Sequence, residues 1–148
     1  MRAGEIAEKF PIVSIDSDAL DAVRLLAAHR LTGLVIDTGK AEAPFAVLTA
    51  SQVVRFILPS YVQEDPALAG VLTESVADHA AERLGGKSIR DVMPQQRQHI
   101  PVVDADDTII ELAEVMSRLN SQLVAVVKGG ELLGVVTASR LLAVALNQ

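Results

Sequence analysis

Apolar residues along this chain change period in a fixed order, and the order occurs twice. A short β-branched run, "PIVSI" (Pro11 to Ile15), precedes Ala19, Ala22, Val23 and Leu26. Those four follow the i, i+3, i+4, i+7 spacing of a helix with one buried face. "LVI" (Leu34 to Ile36) and "FAVL" (Phe45 to Leu48) then read as strands, separated by a loop through Gly39 to Pro44. The order returns with "IPVVD" (Ile100 to Asp104), a helical set at Ile109, Leu112, Ala113 and Met116, and the runs "LVAVV" and "LLGVV". "KGGE" separates those last two, and a Gly pair between apolar β-branched runs predicts a hairpin.

The boundaries carry their own signals. "TIIE" (Thr108 to Glu111) has the form of a capping box, and "DALD" (Asp18 to Asp21) is its weaker counterpart. Each copy closes on Thr-Ala-Ser between two apolar runs: "AVLTASQVV" from Ala46 and "GVVTASRLL" from Gly134. Thr137 stands 88 positions after Thr49, and Glu111 stands 90 after Asp21. Such spacing is the mark of a tandem duplication. It divides the chain into a first copy (1–59), an insert (60–86) and a second copy (87–148). Pro59 is expected to stop the first exit helix. The insert reads as one or two helices ending at Gly85-Gly86, either a covered linker or a partner surface.

Composition narrows the function. Half of the 148 residues are hydrophobic, enough for a substantial core, while aromatics are 3% and the net charge is −6. Few stacking rings, an acidic balance and no local basic stripe argue against nucleic-acid binding. The chain has no cysteine, which excludes disulfides, thiol catalysis and thiolate metal sites and fits a reducing cytoplasm. "MRAGEIAEKF" lacks the apolar core of a signal peptide. No apolar run approaches the roughly 20 residues a spanning helix needs, so no direct membrane insertion is expected.

Candidate chemistry is sparse. "DADDT" (Asp104 to Thr108) lacks the loop glycine and distant Glu of a calcium loop and suits a helix start instead. His29, His79 and His99 form no ligand-spaced pair. "GGKSI" resembles the tail of a phosphate loop, but Ala81 stands where its first Gly belongs. Ser14, Ser51 and Ser139 have no readable His–Asp partners. No catalytic residue, no metal ligand and no enzymatic activity are therefore expected.

The order strand, helix, strand, strand, helix, twice over, resembles a CBS-domain pair, or Bateman module. "SIRDVMP" (Ser88 to Pro94) is similar to the segment leading into a CBS motif, "AAHRLTGLVID" (Ala27 to Asp37) to its helix-to-strand passage, and "GVVTASRLL" to its exit. The resemblance implies an α+β fold, two βαββα copies related by pseudo-twofold symmetry, with clefts between them and pairing into a homodimer. It also implies an adenine nucleotide (AMP, ADP or ATP) as regulatory ligand, with no cofactor required, and a separately encoded enzyme or transporter as the regulated partner. The implied ligand-binding positions include Thr49, Gln52, Thr137 and Arg140 at the exits. Ile12 and Ile100 at the strand starts, Leu34 in the passage and His99 beside its strand complete the set.

One departure stands out. The family places an Asp three residues after the exit Thr, where an ionised carboxylate accepts the ribose hydroxyls. Gln52 and Arg140 occupy that place here, so plain adenosine loses its clamp. Two readings stay open: a cleft that takes an anion-bearing ligand through Arg140, or a ligand-free assembly module. Thr49 and Thr137 also suit helix N-caps, and Arg140 also suits a solvated helix face. The exit helices carry Val53, Val54, Phe56, Ile57, Leu141, Leu142, Val144 and Leu146, more than one face buries within a single module.

Overall fold

The computed structural model describes residues 1–58, 62, 64, 65, 67, 70, 76–95 and 98–147. Pro59 and most of the insert before Val76 lie outside the described residues.

Both copies adopt the expected order. In the first, β1 (Ile12–Ser14) leads through α2 (Ala19–Ala28) to β2 (Gly33–Asp37), β3 (Phe45–Thr49) and the exit helix α3 (Ala50–Ile57). In the second, β5 (Val102–Asp104) leads through α6 (Ile109–Leu119) to β6 (Leu123–Lys128), β7 (Glu131–Thr137) and the exit helix α7 (Ala138–Leu146). A two-residue strand, β4 (Gln98–His99), precedes β5 in the chain and extends the first sheet, whose order is β1-β2-β3-β4; the second sheet is β5-β6-β7.

Strand direction follows from the connections. β1 pairs in parallel with β2, Ile12 opposite Val35, and β5 in parallel with β6, Val102 opposite Ala125. Parallel neighbours need a crossover, and α2 and α6 supply it. β6 and β7 pair antiparallel through the glycine turn, where Gly129 and Gly130 both take positive φ (60° and 83°). Glycine is the residue that adopts such angles without steric cost. The register slips by one residue beside Val126 and Val127, so that Leu133 bulges out of the ladder.

The helix starts are set by side chains. Asp18 accepts the Asp21 N–H (3.0 Å) and Thr108 the Glu111 N–H (3.2 Å). The Glu111 carboxylate reaches back, but to the Thr108 hydroxyl (3.2 Å). α6 ends on Asn120 in the left-handed region (φ 49°), and α2 gives way to Arg30 in the same region (φ 51°). Asn tolerates that region far better than Arg.

The chain forms two compact units, neither of them a single run of sequence. One comprises Met1–Pro11, Lys40–Ala46 and His99–Gln148; the other comprises Ile12–Gly39 and Val47–Gln98. The reason is an exchange of lead-in segments. The short helix α1 (Ala3–Ile6) precedes the first copy but docks on the second. Its Ala3 N–H donates to the Asp107 carbonyl (2.8 Å) and its Gly4 N–H to the Ala105 carbonyl (2.9 Å). The helix α5 (Ile89–Val92), inside "SIRDVMP", does the converse: Ile89 N–H donates to Ser17 (2.9 Å) and Arg90 N–H to Ile15 (2.8 Å). Each lead-in supplies N–H donors to backbone carbonyls at the strand-to-helix turn of the other copy.

In the unit holding the second copy, Ala3 and Ile6 join Val103, Ala105, Leu112, Met116, Val124, Val126 and Val136 in one core. Leu26 (8% exposed) and Met116 (7%) are both buried, as their equivalent helical positions require. α4 (Val76–Leu84), the described helix of the insert, packs in the other unit against α2 and α3. Leu84 at its end is fully buried, and the Arg83 guanidinium lies 4.8 Å from the centre of the Phe56 ring. The helix stops at Gly85-Gly86, Gly86 taking φ 73°.

Candidate functional site

The second exit is a strand that turns directly into a helix. Thr137 is extended (φ −87°, ψ 158°), and its hydroxyl oxygen accepts the Arg140 N–H at 3.1 Å. Thr137 therefore caps α7, and one of the helix's free N–H groups is satisfied. Arg140, one turn in, sends its side chain to the lead-in segment. Its Nε donates to the Ile6 carbonyl at 3.3 Å and lies 3.9 Å from Glu8 Oε1. Among the described residues, nothing bonds its two terminal guanidinium nitrogens, and the side chain is 40% exposed.

Glu8 is itself pinned. Its N–H donates to the Val135 carbonyl (2.8 Å), and the Val135 N–H donates back to the Glu8 carbonyl (2.9 Å). This single antiparallel rung lies against Gly134, where a Cβ would run into the Glu8 carbonyl oxygen and come within 2.9 Å of its carbon. Gly134 is thus a site of close backbone approach, a recognised use of glycine inside a strand.

The first exit repeats the cap with different chemistry. Thr49 Oγ1 accepts the Gln52 N–H (3.1 Å), and Gln52 Oε1 accepts the Thr49 N–H (2.9 Å). The Ser51 hydroxyl stands 3.1 Å from Thr49 Oγ1. This is a closed capping box. Gln52 spends its carbonyl oxygen on its own helix, and the first turn of α3 carries no charged side chain.

The remaining sequence-predicted residues are distributed over both units. Ile12 lies on the edge strand β1 of one unit, 42% exposed, while Leu34 in the same unit is fully buried. In the other unit Ile100 is buried (6%) with its N–H on the Phe45 carbonyl, and His99 in β4 is exposed. Thr137 and Arg140 come together with Ile6 and Glu8, and Thr49 and Gln52 with Ser51. Two residues were missed by sequence reasoning. Val102, 40% exposed on edge strand β5, holds the place in its sheet that Ile12 holds in the other; the 90-residue offset would have found it. Glu8 has no such signal, because its role depends on a contact made far along the chain.

Among the described residues no cluster of His, Asp or Glu is arranged to hold a metal ion, and no helix is long and apolar enough to cross a membrane.

Comparison with known proteins gives this geometry a family. The CBS domain profile matches residues 89–147. No curated protein matches the sequence. A crystal structure of a CBS domain-containing protein of unknown function from Kribbella flavida DSM 17836 is 50% identical, covers 99% of each chain and superposes with a TM-score of 0.90. CBSX2, a CBS-pair protein of Arabidopsis thaliana, in complex with AMP, is 16% identical over 99% of this chain and 96% of that one, with a TM-score of 0.61. A hexameric CBS-CP12 protein from bloom-forming cyanobacteria is 17% identical over 96% and 69% of the two chains, with a TM-score of 0.58. The last two share the fold alone. An identity of one residue in two across nearly the full length carries more, and on it the chain belongs to the CBS-domain family, as a CBS pair.

Proposed function

We propose that this chain is a non-enzymatic regulatory module that binds a phosphate-bearing, nucleotide-like ligand and modulates a separately encoded enzyme or transporter in the cytoplasm. The observation that carries the reading is Arg140. Among the described residues nothing bonds its two terminal guanidinium nitrogens, in the first turn of α7 beside the Thr137 cap. A guanidinium pairs with phosphate through two parallel hydrogen bonds, and a helix N-terminus adds a favourable dipole. The AMP held by CBSX2 is support from a relative of the same fold. Ligand binding would act by population shift, favouring whichever arrangement of the module holds the ligand better.

Thermal melting against AMP, ADP, ATP and adenosine tests the reading. A ligand that binds only the native state raises its apparent stability. The phosphorylated compounds should raise the midpoint, and the effect should shrink with salt. Adenosine, without an acidic residue to take its ribose, should do little. A panel in which no nucleotide moves the midpoint would overturn the reading.

A second reading, assembly without ligand, has its own observation. Val54 (57% exposed), Leu58 (39%), Leu142 (59%) and Leu146 (82%) lie on or at the end of the exit helices. Exposed apolar side chains on both exit helices favour self-association, and the CBS-CP12 relative is hexameric. A homodimer built partly on α3 and α7 fits both readings, and light scattering that returned a monomer mass would remove it.

A further inference from the structure

We propose that Glu8 is a built-in electrostatic competitor for the anion site at the second exit, its carboxylate facing the Arg140 guanidinium that a ligand phosphate would use. The inference rests on the nucleotide reading above and adds to it a residue that sets affinity and a way for occupancy to be felt elsewhere.

The geometry points to this from three sides. First, Glu8 Oε1 is an anionic acceptor 3.9 Å from Arg140 Nε. A loose approach of this kind, with side chains 57% and 40% exposed, is a weak ion pair in water. It is strong enough to compete with a ligand and weak enough to yield to one. Second, Glu8 does not meet Arg140 by chance of rotamer alone. Its backbone is fixed by the rung to Val135, and the close packing on Gly134 holds that rung in place. Third, Arg140 Nε also holds the Ile6 carbonyl, so the same guanidinium binds the lead-in segment at two points. A phosphate on the two open terminal nitrogens brings a second anion to the guanidinium that Glu8 faces, so the two compete for one positive charge, and where the phosphate draws the guanidinium towards itself the contacts at Ile6 and Glu8 loosen. The first exit has no counterpart, since its Gln52 is neutral and folded into its own cap.

Calorimetry with AMP on four proteins tests this: the parent, Glu8→Gln, Arg140→Gln and Glu5→Gln. Glu8→Gln should bind AMP about two- to five-fold more tightly, the range expected from removing an exposed ion pair. Glu5 lies in the same segment, where its carboxylate accepts the Arg2 N–H, and Glu5→Gln changes net charge equally without touching Arg140. It should bind as the parent does, and Arg140→Gln should lose binding. Hydrogen exchange on the parent should show the Glu8 and Val135 amides opening faster when AMP is bound, and in Arg140→Gln without AMP. If the parent binds AMP and Glu8→Gln binds no better, or no better than Glu5→Gln, the inference falls while the nucleotide reading stands. If no protein of the set binds AMP, both fall. Unchanged exchange at Glu8 and Val135 on AMP binding would overturn the coupling to the lead-in.

Discussion

Replacing Gly134 by Ala probes one contact between the second copy and its exchanged lead-in, the rung at Glu8. The added methyl would collide with the Glu8 carbonyl oxygen and stand 3.3 Å from the Glu8 nitrogen. Both are backbone atoms, so no side chain can rotate away and the strand segment itself must retreat. What retreats is the rung to Val135, with hydrogen bonds of 2.8 and 2.9 Å. At about 1 kcal/mol net for each bond, the loss is roughly 2 kcal/mol. Ala also restricts the unfolded chain, which returns about 0.4–1 kcal/mol. The balance is a destabilisation of about 1–2 kcal/mol, or a melting midpoint lower by roughly 3–8 °C for a chain of this size. Differential scanning calorimetry measures the shift, and hydrogen exchange locates it at the amides of Glu8 and Val135. Gly70 has open space around it, so Gly70→Ala serves as a control that should leave those amides unchanged. A Gly134→Ala protein that melts within about 1 °C of the parent, with both amides still protected, would refute the reasoning.

Three further outcomes follow from local geometry. Arg30 holds a left-handed conformation (φ 51°) that Asn120 holds in the second copy; Arg30→Asn should stabilise the fold by about 0.5–1 kcal/mol in urea titration, and a loss would contradict it. Met116→Ala and Leu26→Ala each remove a buried helical side chain and should each cost about 2–5 kcal/mol by the same method. The Ser88 backbone N–H, aided by the Ser88 hydroxyl and by Lys87 and Arg90, holds the Asp91 carboxyl below its ordinary value despite partial desolvation. A lowered native value means stability present above the unfolded value and lost as pH falls through the native one. Acid below about pH 4 should therefore loosen the start of α5, which Asp91→Asn should make less pH-dependent in exchange measurements.

The duplicated architecture was legible because its signals are local and repeated. A helix-spaced apolar set, a cap in front and a Thr-Ala-Ser exit behind recur at nearly constant offset, and each is enforced by residues within a few positions of one another. The exchange of lead-ins was not legible. It is carried by backbone groups of Ala3, Gly4, Ile89 and Arg90, and backbone hydrogen bonds over such distances leave no residue-type signature. Gly134 was a local clue, since glycine inside a strand marks close approach by another backbone. At Gln52 the sequence did hold the answer: Thr-x-x-Gln is the capping-box pattern, and the structure closes it. The ligand role expected for that side chain meets a competitor inside its own helix.

The two exits show how a duplicated fold departs from duplicated function. Both keep Thr as the cap because a strand feeding directly into a helix leaves N–H groups that need an acceptor, and that need is independent of any ligand. The third residue after the Thr carries no such structural obligation to one side-chain type. Gln at that place turns inward and completes the cap, making the first exit neutral and self-satisfied. Arg cannot accept a hydrogen bond, so it cannot close the box. Its side chain must leave the helix, and it meets the nearest acceptors, Ile6 and Glu8, on the exchanged lead-in. A single substitution between copies thus converts an internal cap into a link between exit helix and lead-in. The exchange of segments is what places acceptors within its reach.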